Sequence, residues 1–337
     1  MRRSSLALVV VATLAACTTK EKSKRAAPEL AGLDAVPTGA RVVVGADPRR
    51  LGDSPVVARA VEQMLDREPE LGDRLARLAE GCKLDWRQLE SVHLAILDPS
   101  IAKQPMLVVT GPLAPEADIA KCVQSVVGAG GGALTASKAE GRTLYEVREG
   151  ARSVFFAFGR KDTVVLSASR ELVIGGLGEG KKALDDAGLA GLVGRADTRS
   201  PLWAAGLVDP KLGDRLLRLT RGKVSSPPKA FLAKLDPSAG LTVELAAVMA
   251  TEDDAKALES QLNPTLGLVS MAAQARGLGP LAAKITGSRD RDVVKFGVSL
   301  TEDEVNEVLS KVDSRTPPEE DAGPVPAVPI DAGAPGD

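Results

Sequence analysis

Residues 241–249 read Leu-Thr-Val-Glu-Leu-Ala-Ala-Val-Met, and residues 294–300 read Val-Lys-Phe-Gly-Val-Ser-Leu. In the first stretch Leu241, Val243, Leu245, Ala247 and Met249 share one side of an extended chain, with Thr242 and Glu244 on the other. In the second, Val294, Phe296, Val298 and Leu300 alternate with Lys295, Gly297 and Ser299. Strands with one apolar and one polar face belong to a sheet covered on one side, the habit of antiparallel sheets. The expectation is an α+β fold of mostly antiparallel sheet with helices on one face, not a doubly wound α/β fold.

Working outward, the same signals recur. Arg41 to Gly45 is an apolar strand followed by Asp47-Pro48, and Leu202 to Val208 is another followed by Asp209-Pro210. Each leads into an amphipathic helix, with Val57, Val61, Met64 and Leu65 on one face of the first and Leu212, Leu216 and Leu219 on one face of the second. Leu97-Asp98-Pro99-Ser100 and Leu235-Asp236-Pro237-Ser238 form a second pair, each followed by a strand and then an acid-rich helix start. The repeated order predicts two tandem, duplicated two-layer units, at residues 39–190 and 198–313. An Asp before a Pro caps a helix whose first turn has no N–H to spare, so these turns read as structural rather than as paired ligand sites. Hairpins are expected around Glu140-Gly141, Glu149-Gly150-Ala151, Gly159 to Asp162 and Arg289 to Arg291. A final helix, Thr301 to Val312, opens on a capping box.

The 337 residues are 44% hydrophobic and 26% charged, suited to about two globular domains. Lys plus Arg is 43 and Asp plus Glu is 45, a balance without the clustered positive charge that nucleic-acid binding needs. A single His, His93, removes most metal and triad chemistry, and 2% aromatics leave little for stacking on bases. His93 alternates with Val92 and Leu94, so it is expected on the open face of a strand, a surface residue rather than a general base. Phe155 and Phe156 are consecutive in a strand and point to opposite faces, so at least one is a candidate for a place outside the main core.

The N-terminus carries the most specific signal. Arg2 and Arg3 precede an apolar run from Leu6 to Ala16, 11 residues where a membrane span needs about 20. This is the layout of a secretory signal. The run ends in Leu14-Ala15-Ala16-Cys17, which resembles the lipobox of bacterial lipoproteins. That resemblance implies a signal peptide over residues 1–16, palmitate-type acylation at Cys17, and, because Thr18 follows rather than Asp, sorting to the outer membrane facing the periplasm. Removing residues 1–16 lowers Lys plus Arg to 41 and moves the side-chain charge from −2 to −4. Residues 17–38 then read as anchor and linker. Residues 314–337 hold six prolines, five acids and one arginine, and read as a disordered tail. The body resembles, loosely, uncharacterised duplicated α+β lipoproteins, which implies no mechanism.

Export would place Cys82 and Cys122 in an oxidising compartment, and helices on one side of a sheet could bring them together. The expected disulfide closes a loop of about 41 residues; the alternative is two buried free thiols. Gly175 to Lys181 has the Gly-x-x-x-x-Gly-Lys spacing of a phosphate loop, but Lys182 stands where Ser or Thr must ligate magnesium. Ser169 reads instead as the cap of a short helix, Arg170 to Leu177, ending in glycines. Ser-x-x-Lys occurs at Ser100 to Lys103 and Ser226 to Lys229 without its companion motifs. No catalytic, cofactor or metal residues are assigned. The expectation is a membrane-anchored envelope protein of non-enzymatic type that binds a protein partner or a small apolar ligand, with no nucleotide or nucleic acid. The alternatives are a lipid carrier with an apolar cavity and a carboxylate-based hydrolase.

Overall fold

A computed structural model of the chain describes residues 31–97, 105–159, 162–219, 223–275 and 277–313. The expected signal peptide, Cys17, most of the expected linker, Asp98-Pro99, the Ser100 to Lys103 motif and the expected tail lie outside these residues. A 3-10 turn at Gly32–Ala35 leads into β1 (Ala40–Ala46), α1 (Pro48–Gly52), α2 (Pro55–Arg67), α3 (Pro69–Cys82), β2 (Ser91–Leu97) and β3 (Met106–Thr110). There follow α4 (Glu116–Ala129), β4 (Ala133–Ala139), β5 (Arg142–Glu149), β6 (Arg152–Phe158), β7 (Thr163–Ser167), α5 (Arg170–Leu177) and α6 (Ala187–Arg195). The second half runs β8 (Leu202–Leu207), α7 (Pro210–Leu219), β9 (Ala230–Asp236), β10 (Leu241–Val248), α8 (Glu252–Gln274), α9 (Gly279–Ala282), β11 (Thr286–Asp290), β12 (Val293–Leu300) and α10 (Glu302–Asp313). No helix among the described residues is long and apolar enough to cross a membrane.

Local chemistry places the element ends where the sequence puts them. Asp47 accepts the amide of Arg50 at 3.2 Å with Pro48 in the first turn, and Asp209 accepts the amides of Lys211 and Leu212 at 2.9 and 3.3 Å. Ser169 caps α5 through the amide of Leu172 at 3.3 Å. Thr301 and Glu304 exchange backbone-to-side-chain bonds of 2.9 and 3.4 Å, the reciprocal pair of a capping box. Glu140 and Gly141 both take positive φ, 48° and 74°, as the two-residue β4–β5 hairpin requires.

The twelve strands of the described residues form one sheet, ordered β11-β12-β10-β9-β8-β1-β2-β3-β7-β6-β5-β4, and every pairing among them is antiparallel. β1 and β8 meet in its middle, with Val43 opposite Ala205. The face that carries His93 holds the largest core. Val43, Ala95, Met106, Val108, Val165 and Ala205 are fully buried there, under Leu172, Val173 and Leu177 of α5, Leu189 and Leu192 of α6, and the incoming Ala35 and Val36. The opposite face carries Phe296. On it α4 sets Ile119 against Phe156 and Phe158, and α8 sets Ala255 and Leu258 against Val294, Met249 and Phe296.

Helices therefore cover both faces, not one. The reason lies in the stretch that suggested one covered face. Thr242 and Glu244 share their face with Ala246 and Val248, which are 5% and 0% exposed, whereas Leu245 on the more apolar side is 53% exposed. His93 is corrected with it: it lies on the face of the main core, not on an open one.

Candidate functional site

On the Phe296 face the register lines up Leu94, Val44, Ala204, Ala233, Leu245 and Phe296 in one cross-strand row from β2 to β12. Leu94, Val44, Ala204 and Ala233 are only partly buried, and Leu245 is exposed. Ile96, one pair further along β2 and opposite Val42, is 45% exposed. An open apolar band thus crosses the middle of the sheet between the parts that α4 and α8 cover. Leu245 and Ile96, each about half exposed, forgo about half of the transfer free energy that full burial would release.

The His93 face carries a cleft of about 350 Å³ beside the end of α6, floored by Leu232, Ala246 and Val293. Lys234 and Glu244 face each other across it at 3.6 Å, and Arg195 on its wall pairs with Asp292 at 3.2 Å. A second cleft, about 380 Å³, sets Val61, Leu65 and Trp86 beside Glu62, Asp66 and Arg87. Charged groups line both, so neither is the continuous apolar cavity expected of a lipid carrier.

The tempting motifs resolve into structural roles. A phosphate loop needs backbone N–H groups turned inward. Here the turn after α5 presents carbonyls instead, and the Lys182 ammonium donates to those of Gly175, Gly176 and Gly178 at 3.2, 2.9 and 2.8 Å. Burial lowers the pKa of that ammonium, against the pull of Asp185 and Asp34. Ser226 gives its hydroxyl to Asp254 at 2.6 Å, not to Lys229. Asp254, 5% exposed, also accepts from the Ser225 hydroxyl and from Thr251 at 2.8 Å, and binds the amides of Ser225 and Ser226, each at 3.2 Å. The two serine hydroxyls hold its carboxyl well below the usual range, against the opposing effect of burial. This node fastens the turn before Pro227-Pro228 to the start of α8, and nothing in the sequence spacing announced it.

His93 sits opposite Gly45 on β1, and Gly45 sits opposite Trp203 on β8. The indole lies across the glycine and meets the imidazole edge-on, ring centres 6.2 Å apart. Burial alone lowers the imidazole pKa from 6.5, and Nδ1 has no hydrogen-bond partner among the described residues. Phe155 and Phe156 divide between the two faces, Phe155 against the main core and Phe156 in the α4 cluster, stacked on Tyr145 at 4.8 Å. Tyr145 donates to Glu116 at 2.8 Å, and burial together with that carboxylate pushes its phenol up to about 12. Cys82 and Cys122 form a disulfide with Cα atoms 5.3 Å apart, joining the end of α3 to the middle of α4. Among the described residues no group of His, Cys, Asp and Glu is placed to hold a metal ion.

No family model and no curated protein matches the chain. Among solved structures it is similar to three crystal forms of TP0453. Form I shares 12% identity over 83% of this chain and 96% of that one, with a TM-score of 0.43. Form III shares 14% over 84% and 97%, with a TM-score of 0.46. Form IV shares 14% over 83% and 97%, with a TM-score of 0.40.

Proposed function

We propose that this chain is a lipid-anchored protein of the cell envelope, of non-enzymatic type, that binds a partner protein or a small apolar ligand on the open band of its Phe296 face. The observation that carries the reading is Leu245, 53% exposed in the middle of an apolar cross-strand row. The Leu-Ala-Ala-Cys end of an 11-residue apolar run supports attachment through Cys17, and Thr18 supports the outer membrane facing the periplasm. Several acyl chains at one residue, at about 0.8 kcal/mol per buried methylene, make such an anchor stable.

The proposal includes duplication, with units at residues 39–190 and 198–313. It is supported by spacing: 162 residues separate Asp47 from Asp209 and also separate Val43 from Ala205, which face each other across the β1–β8 seam. Two copies related by a two-fold axis normal to a sheet would meet through equivalent strands in this way. The band on the Phe296 face then spans the seam between the copies.

A photo-crosslinking side chain placed at position 245 of the membrane-anchored protein tests the binding reading, with position 242 as the control on the opposite face. A discrete adduct from 245 and none from 242 is expected. Equal labelling from both, or none from either, would refute it. Loss of palmitate incorporation in Cys17→Ser tests the anchor separately.

A further inference from the structure

The sheet has two edges, β11 and β4, and they differ in how they are guarded. Natural proteins blunt an edge strand with charges, prolines, bulges or short length, because its unpaired N–H and C=O groups otherwise recruit another strand. β11 follows that habit. It has five residues, two of them charged, and Arg289 is held by Glu259 of α8 at 2.9 Å. β4 does not. Its seven residues, Ala-Leu-Thr-Ala-Ser-Lys-Ala, contain no proline, and they pair with β5 in an unbroken register from Ala133 opposite Arg148 to Ala139 opposite Arg142. The one charge, Lys138, is turned back onto β5, where its ammonium donates to Thr143 at 2.8 Å. All but Leu134 and Ala139 are exposed, and no strand among the described residues pairs with the outer side.

We propose that β4 is a homotypic docking edge, on which a second copy of this chain pairs its own β4 antiparallel about a two-fold axis at Ala136. The sequence meets no like charge and no bulky pair against itself in that register. Ala136 faces Ala136, Thr135 faces Ser137, Leu134 faces Lys138, and Ala133 faces Ala139. Lys138 never meets Lys138, and Thr–Ser is a favourable cross-strand pair. Seven overlapping residues supply about six to eight backbone hydrogen bonds. The contact is isologous and closed, so it yields a dimer with one continuous sheet and not a fibre. It stands independently of the lipid anchor and of the band on the Phe296 face.

The test is register-specific. Residues directly opposite in an antiparallel pair have Cα atoms about 4.5–5.5 Å apart, within disulfide reach. In a Cys17→Ser background, which leaves the Cys82–Cys122 disulfide as the only cysteine pair, purified Ala136→Cys is expected to form an intermolecular disulfide under mild oxidation, while the background chain and Val154→Cys, exposed on β6, do not. Sedimentation of the parent should show a doubled mass. Thr135→Lys combined with Ser137→Lys, which sets like charges opposite each other, should weaken association at least tenfold. A monomeric parent whose Ala136→Cys variant cross-links no better than Val154→Cys would overturn the proposal. So would protection of the β4 amides from hydrogen exchange in a monomer, which would mean that another segment of the same chain fills the edge.

Discussion

Gly45→Ala tests the reasoning about the centre of the sheet, because general expectation and local geometry disagree in sign. In a strand with ordinary φ, replacing Gly by Ala restricts the unfolded chain and stabilises by about 0.4–1 kcal/mol. Gly45 is not among the residues with positive φ, so nothing in its backbone forbids the change. The obstacle is the indole of Trp203. A Cβ on Gly45 would lie 2.5 Å from Trp203 Cζ2 and overlap Cε2 and Nε1 still more closely. Carbon atoms pack at about 3.5–4.0 Å, so the ring must retreat by roughly 1 Å. It has little room to do so, being 5% exposed with His93 against its edge. Overpacking of this kind costs about 1–3 kcal/mol. Trp203→Ala alone should cost about 3–5 kcal/mol, but in that background the clash is gone and Gly45→Ala should be neutral or slightly stabilising. Urea unfolding followed by far-ultraviolet circular dichroism gives all four corners of the cycle without depending on the lost fluorophore. Additivity of the two changes within about 0.5 kcal/mol would refute the packing argument.

Asp254→Ala removes an acceptor serving Ser225, Ser226 and Thr251 and should lower stability by about 1–3 kcal/mol, read as a drop in the urea midpoint, with Asp254→Asn recovering part of it. His93 is held neutral by burial, so the unfolded chain binds more protons than the folded one below the ordinary value of 6.5. Stability should be full above about 6.5 and fall as the pH drops toward the lowered folded value, and His93→Gln should flatten that limb of a pH–stability curve. Asp254 acts in a separate window: its contribution is present above the ordinary carboxylate range, about 3.9, and is lost as the pH falls below it toward the depressed folded value. Removing the disulfide with Cys82→Ser and Cys122→Ser opens a loop of sequence separation 40, worth at most about 4 kcal/mol, and should lower the melting temperature without changing the strand content.

What was legible in the sequence is what local chemistry decides. Asp47, Asp209, Ser169 and Thr301 cap helices through amides two or three residues away, so the cap can be read without knowing the fold. The antiparallel sheet follows from alternation, and the Glu140-Gly141 hairpin follows from its turn. The distribution of helices over the two faces was not legible. Ala246 and Val248 are buried on the side whose Thr242 and Glu244 read as polar, because the two polar residues that open the strand face mask the two apolar ones that end it. His93 was misplaced for a different reason: its neighbours come from far along the chain, Trp203 from 110 positions away reaching over Gly45, and the turn at Gly32 from the other direction. Asp254 escaped notice because its two serine partners precede it by 28 and 29 residues and no motif spans that gap.

Magnitude constrains the proposed binding band. Fully burying a leucine or isoleucine contributes about 1.5–3 kcal/mol. Leu245 and Ile96 are each about half exposed, so together they offer only about 1.5–3 kcal/mol. A micromolar complex needs about 8 kcal/mol. Two side chains therefore cannot carry the interaction, and the partly buried row of Leu94, Val44, Ala204 and Ala233 between them must supply the rest. This sets the expected response. Leu245→Ala removes about 1.4 kcal/mol or less and should weaken capture of an apolar probe by no more than about tenfold. Ala204→Glu, which places a charge in the middle of the row, should abolish capture, with the urea midpoint of the same variant separating lost binding from lost fold. Both numbers come from titrating an environment-sensitive naphthylamine dye into each variant. If Leu245→Ala abolishes binding and Ala204→Glu spares it, the ligand contacts Leu245 as an isolated anchor and the cross-strand row is not the surface.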